Sequence, residues 1–287
     1  MRVHRAIDIS GNSAVPGKAA DFAALHEGSI LAHIRRDYVD SLSIELLHEY
    51  FRSVLEQISR GADAKKPGRG SVKEVRLDSG AHLVFRLTKR GGFVRHFVTA
   101  SFLRLPGLAW SESRPLSELS ILSYLYERQF PVPAPVAAAV LPFAAGLAYH
   151  GVLVTELIPR CENFLASLWR RSFTAQTAYP SIAEREALLS VCSMTGNLAR
   201  QMLEQGVFHT DLHLGNILVT DKGLVYVIDF DKAHRIDPQG GLHFYARKLA
   251  SRWKRSVTRH IRDQDLAFEF ERYYLAGLFS GRNGKSG

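Results

Sequence analysis

Several classes of protein are excluded by what this chain lacks. Among its 287 residues there are two cysteines, Cys161 and Cys192. That is too few for a disulfide framework, and it fits a reducing compartment in which both act as packing residues rather than ligands. No long clean apolar run occurs. The most apolar stretch, "PVPAPVAAAVLPFAAGLAYHGVLV", is interrupted by four prolines and a histidine. It falls below the ~20 apolar residues a spanning helix needs and reads as strands and turns in a core. The opening "MRVHRAIDIS" has no apolar centre, so no secretory leader is expected. Internal repeats are absent, and so is any base-stacking or groove-reading motif; nucleic acid is not an expected partner. Acid is in deficit: 28 Asp and Glu face 37 Lys and Arg, a net charge of +9. That balance favours an anionic partner such as an anionic membrane face or a phosphorylated substrate.

A hydrophobic fraction of 46% and a charged fraction of 23% are those of a soluble globular protein. The length suits one large domain or two modest lobes. Residues 19 to 60 read as mostly helical, because "SIELLHEYFRSVLEQISRG" carries apolar residues at helical spacing up to Gly61. "SVKEVRL" and "HLVFRL" flank Asp78-Ser79-Gly80 and predict a hairpin. "SRPLSELSILSYLYERQ" predicts a helix with Pro115 in its first turn, and "HGVLVTELI" a buried strand. Ser181 and Glu184 form a capping-box pattern that opens a long helix ending near Gly206. "NILVTDKGLVYVID" predicts a second hairpin turning at Asp221-Lys222-Gly223, and the remainder reads as helical. "LWRRSF" and "ARKLASRWKRSVTRHIR" interleave cations with apolar side chains; the second resembles a basic helix with an apolar face, suited to an interface. The order is hairpins first and helices later, an α+β arrangement of two lobes with a boundary near 156 to 162. The divisions expected are a helical extension over 1–64, lobes over 65–157 and 158–280, and a frayed tail over 281–287.

The densest polar feature is "HTDLHLGNILV", His209 to Val219, followed by "VYVIDFD", Val225 to Asp231. The turn at 221–223 folds Asn216 back towards Asp229, and Asp211 lies five residues before Asn216. One loop and one hairpin can therefore converge three side chains. An Asn and an Asp at strand ends are oxygen ligands suited to Mg²⁺, which is completed by waters and substrate phosphates. A further Asp facing the same point can take a proton from an attacking hydroxyl. That division of labour is the one phosphoryl transfer uses.

These fragments resemble the catalytic and metal-binding loops of the protein-kinase-like fold, and of its lipopolysaccharide kinase branch in particular. Within that branch the similarity is to kinases of 3-deoxy-D-manno-octulosonic acid (Kdo). It is carried by "GRGSV", "KRGG", "SRPLSEL", "FPVPAPVAA", "HTDLHLGNIL" and "IDFDKA", in order, over roughly residues 66 to 260. The resemblance implies a bilobal fold, with a small β-rich first lobe that binds ATP and a helical second lobe. It makes Asp211 the catalytic base, and Asn216 and Asp229 the Mg²⁺ ligands. Gly68, Gly70 and Ser71 would form the turn covering the phosphates. Arg86 would be the strand cation facing ATP, with Lys89 as the other candidate, paired with Glu118 on the next helix. Glu118 shares a stripe with Leu122 and Leu125, an inward position that suits a partnered charge. Backbone at Glu156 to Ile158 would meet the adenine. His209 is expected to brace the loop, and His213 to do the same or to touch substrate. The sequence departs from protein kinases at Asp231, where they have Gly, and no A-P-E-like segment follows; both fit a small-substrate kinase.

The implied acceptor is a Kdo-bearing lipid A precursor, phosphorylated at its 4-OH by an enzyme peripheral to the cytoplasmic face of the inner membrane. A core heptose, a small molecule or a protein hydroxyl as acceptor would keep the same chemistry. A non-catalytic scaffold would be expected to lose at least one of Asp211, Asn216 and Asp229.

Overall fold

The computed structural model describes residues 22–59, 72–88, 101–104, 109–174 and 181–280. The chain divides into two compact units, residues 1–157 and 158–287.

The first unit is built on an antiparallel sheet. Its strands are β1 (Phe22–Glu27), β2 (Ile30–Arg35), β3 (Val72–Arg76), β4 (His82–Leu87), β5 (Phe102–Leu103), β6 (Pro135–Phe143) and β7 (Ala148–Glu156). They lie in the order β1-β2-β6-β7-β4-β3, and β5 pairs with β7. The hairpin of β3 and β4 forms where Asp78-Ser79-Gly80 predicts it. Gly80 takes φ +86° there, and the N–H of Leu77 reaches the carbonyl of Ala81 at 2.9 Å.

Helix α1 (Ile44–Ser59) and helix α2 (Arg114–Tyr126) cover opposite faces of this sheet. Strand periodicity dictates the division. Leu83, Phe85 and Leu87 of β4, with Val152 and Val154 of β7, join Leu47, Tyr50, Phe51 and Val54 of α1 in one buried cluster. The alternate residues look the other way. Arg86 meets Glu118 of α2, and a Cβ on Gly151 would stand 2.8 Å from Pro115 Cγ. Glycine at 151 is what lets the first turn of α2 approach the backbone of β7.

The expectation of helix over 19–60 is corrected. Among the described residues of that span α-helix occupies 44–59, and residues 22–35 are the β1–β2 hairpin, turning at Gly28 with φ +57°. The reason is a period of two: Ile30, Ala32 and Ile34 are buried, and Leu31, His33 and Arg35 between them are less so. Strand β2 pairs along β6 from Leu31↔Val140 to Ile34↔Ala137. Residues 22–59 therefore belong to the sheet's own unit rather than to a separate helical extension over 1–64.

The second unit holds β8 (Cys161–Asn163), α3 (Phe164–Thr174), α4 (Ile182–Glu204), β9 (Val207–Phe208), β10 (Ile217–Thr220), β11 (Val225–Val227), β12 (His234–Arg235), α5 (Leu242–His260) and α6 (Gln264–Phe279). Helix α4 opens on the predicted capping box: the Glu184 N–H donates to Ser181 Oγ at 3.3 Å, and the Ser181 N–H donates to Glu184 Oε2 at 3.0 Å. Helices α4 and α6 approach closely through Gly196 and Gly277. A Cβ on Gly196 would lie 2.1 Å from the carbonyl oxygen of Tyr274, and one on Gly277 would lie 2.2 Å from that of Ser193. Against α6 lies α5, whose Trp253 ring stacks on Tyr274 with centroids 4.4 Å apart and whose indole N–H reaches the carbonyl of Phe270 at 3.3 Å. The tail 281–287 lies outside the described residues.

Candidate active site

Short strands hold the ends of the polar loop. Strand β9 leads into it and pairs with β12 beyond it, Phe208 opposite His234. Between them β10 and β11 form the hairpin anticipated at Asp221-Lys222-Gly223, with Gly223 at φ +75° and Ile217 opposite Val227. This register sets Asn216 beside Ile228, whose N–H donates to the Asn216 carbonyl at 3.0 Å. The next residue, Asp229, sits at φ +67°. Few side chains other than Gly enter that left-handed region, and short polar ones do so most readily. Such backbone strain, of order 1–3 kcal/mol, gathers at functional sites.

His209 ties the two fragments together. Its ring is 1% exposed. Nδ1 accepts from the Asp211 N–H at 3.2 Å, and Nε2 faces the Ile228 carbonyl at 3.1 Å. These partners assign the neutral tautomer with the proton on Nε2. Burial pushes its pKa below the ordinary imidazole value, the same direction. Thr210 adds a second tie, its hydroxyl donating to the Lys232 carbonyl at 3.1 Å. His213 turns inward as well: its Nδ1 accepts from the Gly215 N–H at 3.0 Å, opening the turn Leu214–Asn216. Burial lowers its pKa too, so near neutral pH it braces the loop without adding charge.

The Asn216 amide donates through Nδ2 to the Asp211 carbonyl at 2.9 Å, which leaves its Oδ1 as an acceptor. Asn163 of β8 steadies the same turn, donating to the Gly215 carbonyl at 2.6 Å. Among the described residues no three His, Cys, Asp or Glu side chains gather as a metal cage. One amide oxygen and one carboxylate, from Asn216 and Asp229, would make a hard, sparse donor set. It fits Mg²⁺, which keeps waters and shares substrate phosphates, better than a metal caged by protein alone.

Two cations beside Asp211 are not predicted from the sequence. Arg252 of α5 forms an ion pair with the Asp211 carboxylate, and Lys232 Nζ lies 3.7 Å from its other oxygen. Arg252 comes from 41 residues away along the chain, and no local pattern marks it. Its neighbour Trp253, locked against α6, fixes which face of α5 meets the loop. The apolar face of α5, Ala246, Leu249, Trp253 and Val257, is buried. This corrects the reading of the segment as an interfacial helix, because the face that would enter a membrane is engaged in the core.

In the first unit Arg86 and Glu118 form the expected ion pair, with Glu118 1% exposed. Lys89, Gly68, Gly70 and Ser71 lie outside the described residues. At the end of β7 the N–H groups of Glu156 and Leu157 donate to the carbonyls of Ala134 and His82, both at 2.9 Å. The Ile158 N–H makes no hydrogen bond among the described residues. The Glu156 side chain accepts from Arg35 Nη2 at 2.6 Å and from the Tyr38 hydroxyl at 3.0 Å. That brace, too, is not anticipated from the sequence.

A family model described as lipopolysaccharide kinase (Kdo/WaaP) matches residues 56–274. A 3-deoxy-D-manno-octulosonic acid kinase of Vibrio parahaemolyticus is 28% identical over 203 residues, covering 70% of this chain and 77% of that one. Its counterpart in Vibrio cholerae is 30% identical over 167 residues, 58% of this chain and 63% of the other. A solved structure of WaaP in complex with acyl carrier protein aligns at a TM-score of 0.41 and 15% identity, over 73% of this chain and 76% of that one.

Proposed function

Because this chain belongs to the lipopolysaccharide kinase (Kdo/WaaP) family, we propose that it transfers the γ-phosphate of ATP to a Kdo hydroxyl, the 4-OH, on a lipid A precursor. The observation that carries the reading is the joined loop and hairpin: His209 hydrogen-bonds both the Asp211 backbone and the residue before Asp229. In the proposed reaction the acceptor oxygen attacks the γ-phosphorus, the bond from that phosphorus to the β,γ-bridging oxygen breaks, and ADP leaves. Asp211 takes the hydroxyl proton, held in orientation by Arg252. Asn216 and Asp229 would hold Mg²⁺, which when bound neutralises charge on the phosphates. Arg86, oriented by Glu118, would bind phosphate oxygens through its planar fork. The Ile158 N–H, unengaged among the described residues, supports an adenine contact on the backbone stretch from Glu156 to Ile158. Gly68, Gly70 and Ser71 keep the phosphate-covering role that the sequence resemblance gives them.

The intact set of Asp211, Asn216 and Asp229 favours an enzyme over a scaffold. Among the described residues no helix is long and apolar enough to cross a membrane. We place the enzyme peripherally on the cytoplasmic face of the inner membrane, where its acceptor lies, on the strength of its net charge of +9. The test is to incubate the protein with ATP, Mg²⁺ and a Kdo-bearing lipid A precursor, and to locate any new phosphate by phosphorus NMR and mass analysis. A phosphomonoester at the Kdo 4-OH is expected; phosphate on another sugar would redirect the assignment.

A further inference from the structure

A cavity of about 470 Å³ opens in the second unit beside the loop that carries Asp211, and Thr210 and Arg252 both line it. Much of its remaining wall is the outward face of α5. Phe244, Lys248, Arg252 and Arg255 follow one another at three- and four-residue steps, so they share that face. Arg247 lines the cavity with them, and no lining residue is acidic. Phe244 is 57% exposed, and Lys248 Nζ sits 4.1 Å from the centre of its ring. Arg252 joins the two features, lining the cavity and pairing with Asp211. Four cations line it, and among the described residues the carboxylate that answers them is Asp211, paired with Arg252 from the neighbouring loop.

Like charges crowded on one helix face destabilise it, so this arrangement calls for an anion. The volume falls in the range of small-ligand sites. An exposed aromatic ring amid cations suits a sugar that carries a carboxylate: the ring takes the apolar face of the sugar, and the cations take its oxygens by charge-assisted hydrogen bonds.

We propose that this cavity is the acceptor subsite. Arg247, Lys248 and Arg255 bind the carboxylate of the acceptor sugar, and this contact turns the sugar so that its hydroxyl meets Asp211. The identity of that sugar rests on the function proposed above; the subsite's preference for an anion rests on the cations of α5 alone. The same cations could instead meet anionic lipid headgroups, and the test separates the two.

The triple variant R247A/K248A/R255A changes exposed side chains and leaves Asp211, Asn216, Asp229 and Arg252 in place. With a soluble, deacylated Kdo-bearing acceptor, its KM should rise about 10- to 100-fold, the loss expected for one or two charge-assisted contacts. The KM for ATP should hold within a few-fold, and R247K/K248R/R255K should recover most of the affinity. With an acceptor whose carboxylate has been reduced to an alcohol, wild type and triple variant should give similar KM values. An unchanged KM on the acidic acceptor would overturn the proposal. So would an equal loss on the reduced acceptor, or a variant that loses only its binding to phosphatidylglycerol vesicles. If wild type transfers no phosphate to any Kdo acceptor, the functional reading fails and the subsite assignment fails with it. If wild type transfers phosphate and the variant's KM does not move, this inference alone fails.

Discussion

Arg86 on β4 and Glu118 on α2 form an ion pair inside the first unit, on the face of the sheet opposite α1. The two residues lie 32 apart in sequence, and the pairing expected of them is the one they make. Removing one partner of a buried pair leaves an uncompensated charge, at about 3–5 kcal/mol. Arg86→Ala is therefore expected to lower stability by roughly that amount, trimmed by the partial exposure of Arg86, and to raise the KM for ATP. Glu118→Gln removes the charge and keeps a hydrogen-bonding oxygen, so its stability cost should be smaller. Urea denaturation and ATP titration of the two variants check the order.

The crossing of α4 and α6 depends on two glycines. Gly196→Ala would set a Cβ 2.1 Å from a backbone oxygen, and backbone cannot rotate aside as a side-chain tip can. Overpacking of this kind costs about 1–3 kcal/mol or more. Gly196→Ala and Gly277→Ala should each lower the unfolding midpoint of the second unit, measured by thermal circular dichroism. Gly223→Ala should cost less, because its strain is confined to a turn with open space around it.

The Arg35 and Tyr38 brace on Glu156 predicts a mild phenotype. Arg35 is mostly buried but Glu156 is partly exposed, so solvent screening limits the pair to about 1 kcal/mol. Arg35→Ala should destabilise the first unit by about that amount, and Tyr38→Phe, which loses one hydrogen bond, by no more. Comparing unfolding midpoints of the two variants with wild type checks it.

His209 makes stability depend on pH. Burial holds its folded pKa below the ordinary value of 6.5, so the unfolded chain binds its proton more readily. Stability is then complete above about pH 6.5 and declines as pH falls below it, because protonation favours the unfolded state. His33 and His213 are shifted in the same direction. Thermal unfolding from pH 7.5 to 5 should show a falling midpoint, with a shallower slope in His209→Gln than in wild type.

What could be read from the sequence was local. The β10–β11 hairpin, with Asp-Lys-Gly at its turn, and the five-residue step from Asp211 to Asn216 place side chains by short-range geometry. The capping box at Ser181 is equally self-contained. The β1–β2 hairpin also left a signal, the alternation of Ile30, Ala32 and Ile34, but the long helical pattern after it invites extension backwards. Arg252 carries no local signal, since its meeting with Asp211 is decided by how Trp253 seats on α6. The basic run containing it was legible as a helix; which face it buries is a property of the packed unit.

In the proposed reaction Asp211 serves as the base for phosphate transfer to Kdo. The most direct test is the rate at which γ-labelled phosphate from ATP appears on a Kdo-bearing lipid A precursor, for wild type and Asp211→Ala. A positioned general base contributes about 10²- to 10⁴-fold. Wild type should transfer the label, and Asp211→Ala should fall by that factor while still binding ATP. Equal rates for the two proteins would rule out Asp211 as the base, and no transfer by wild type would rule out the reaction itself.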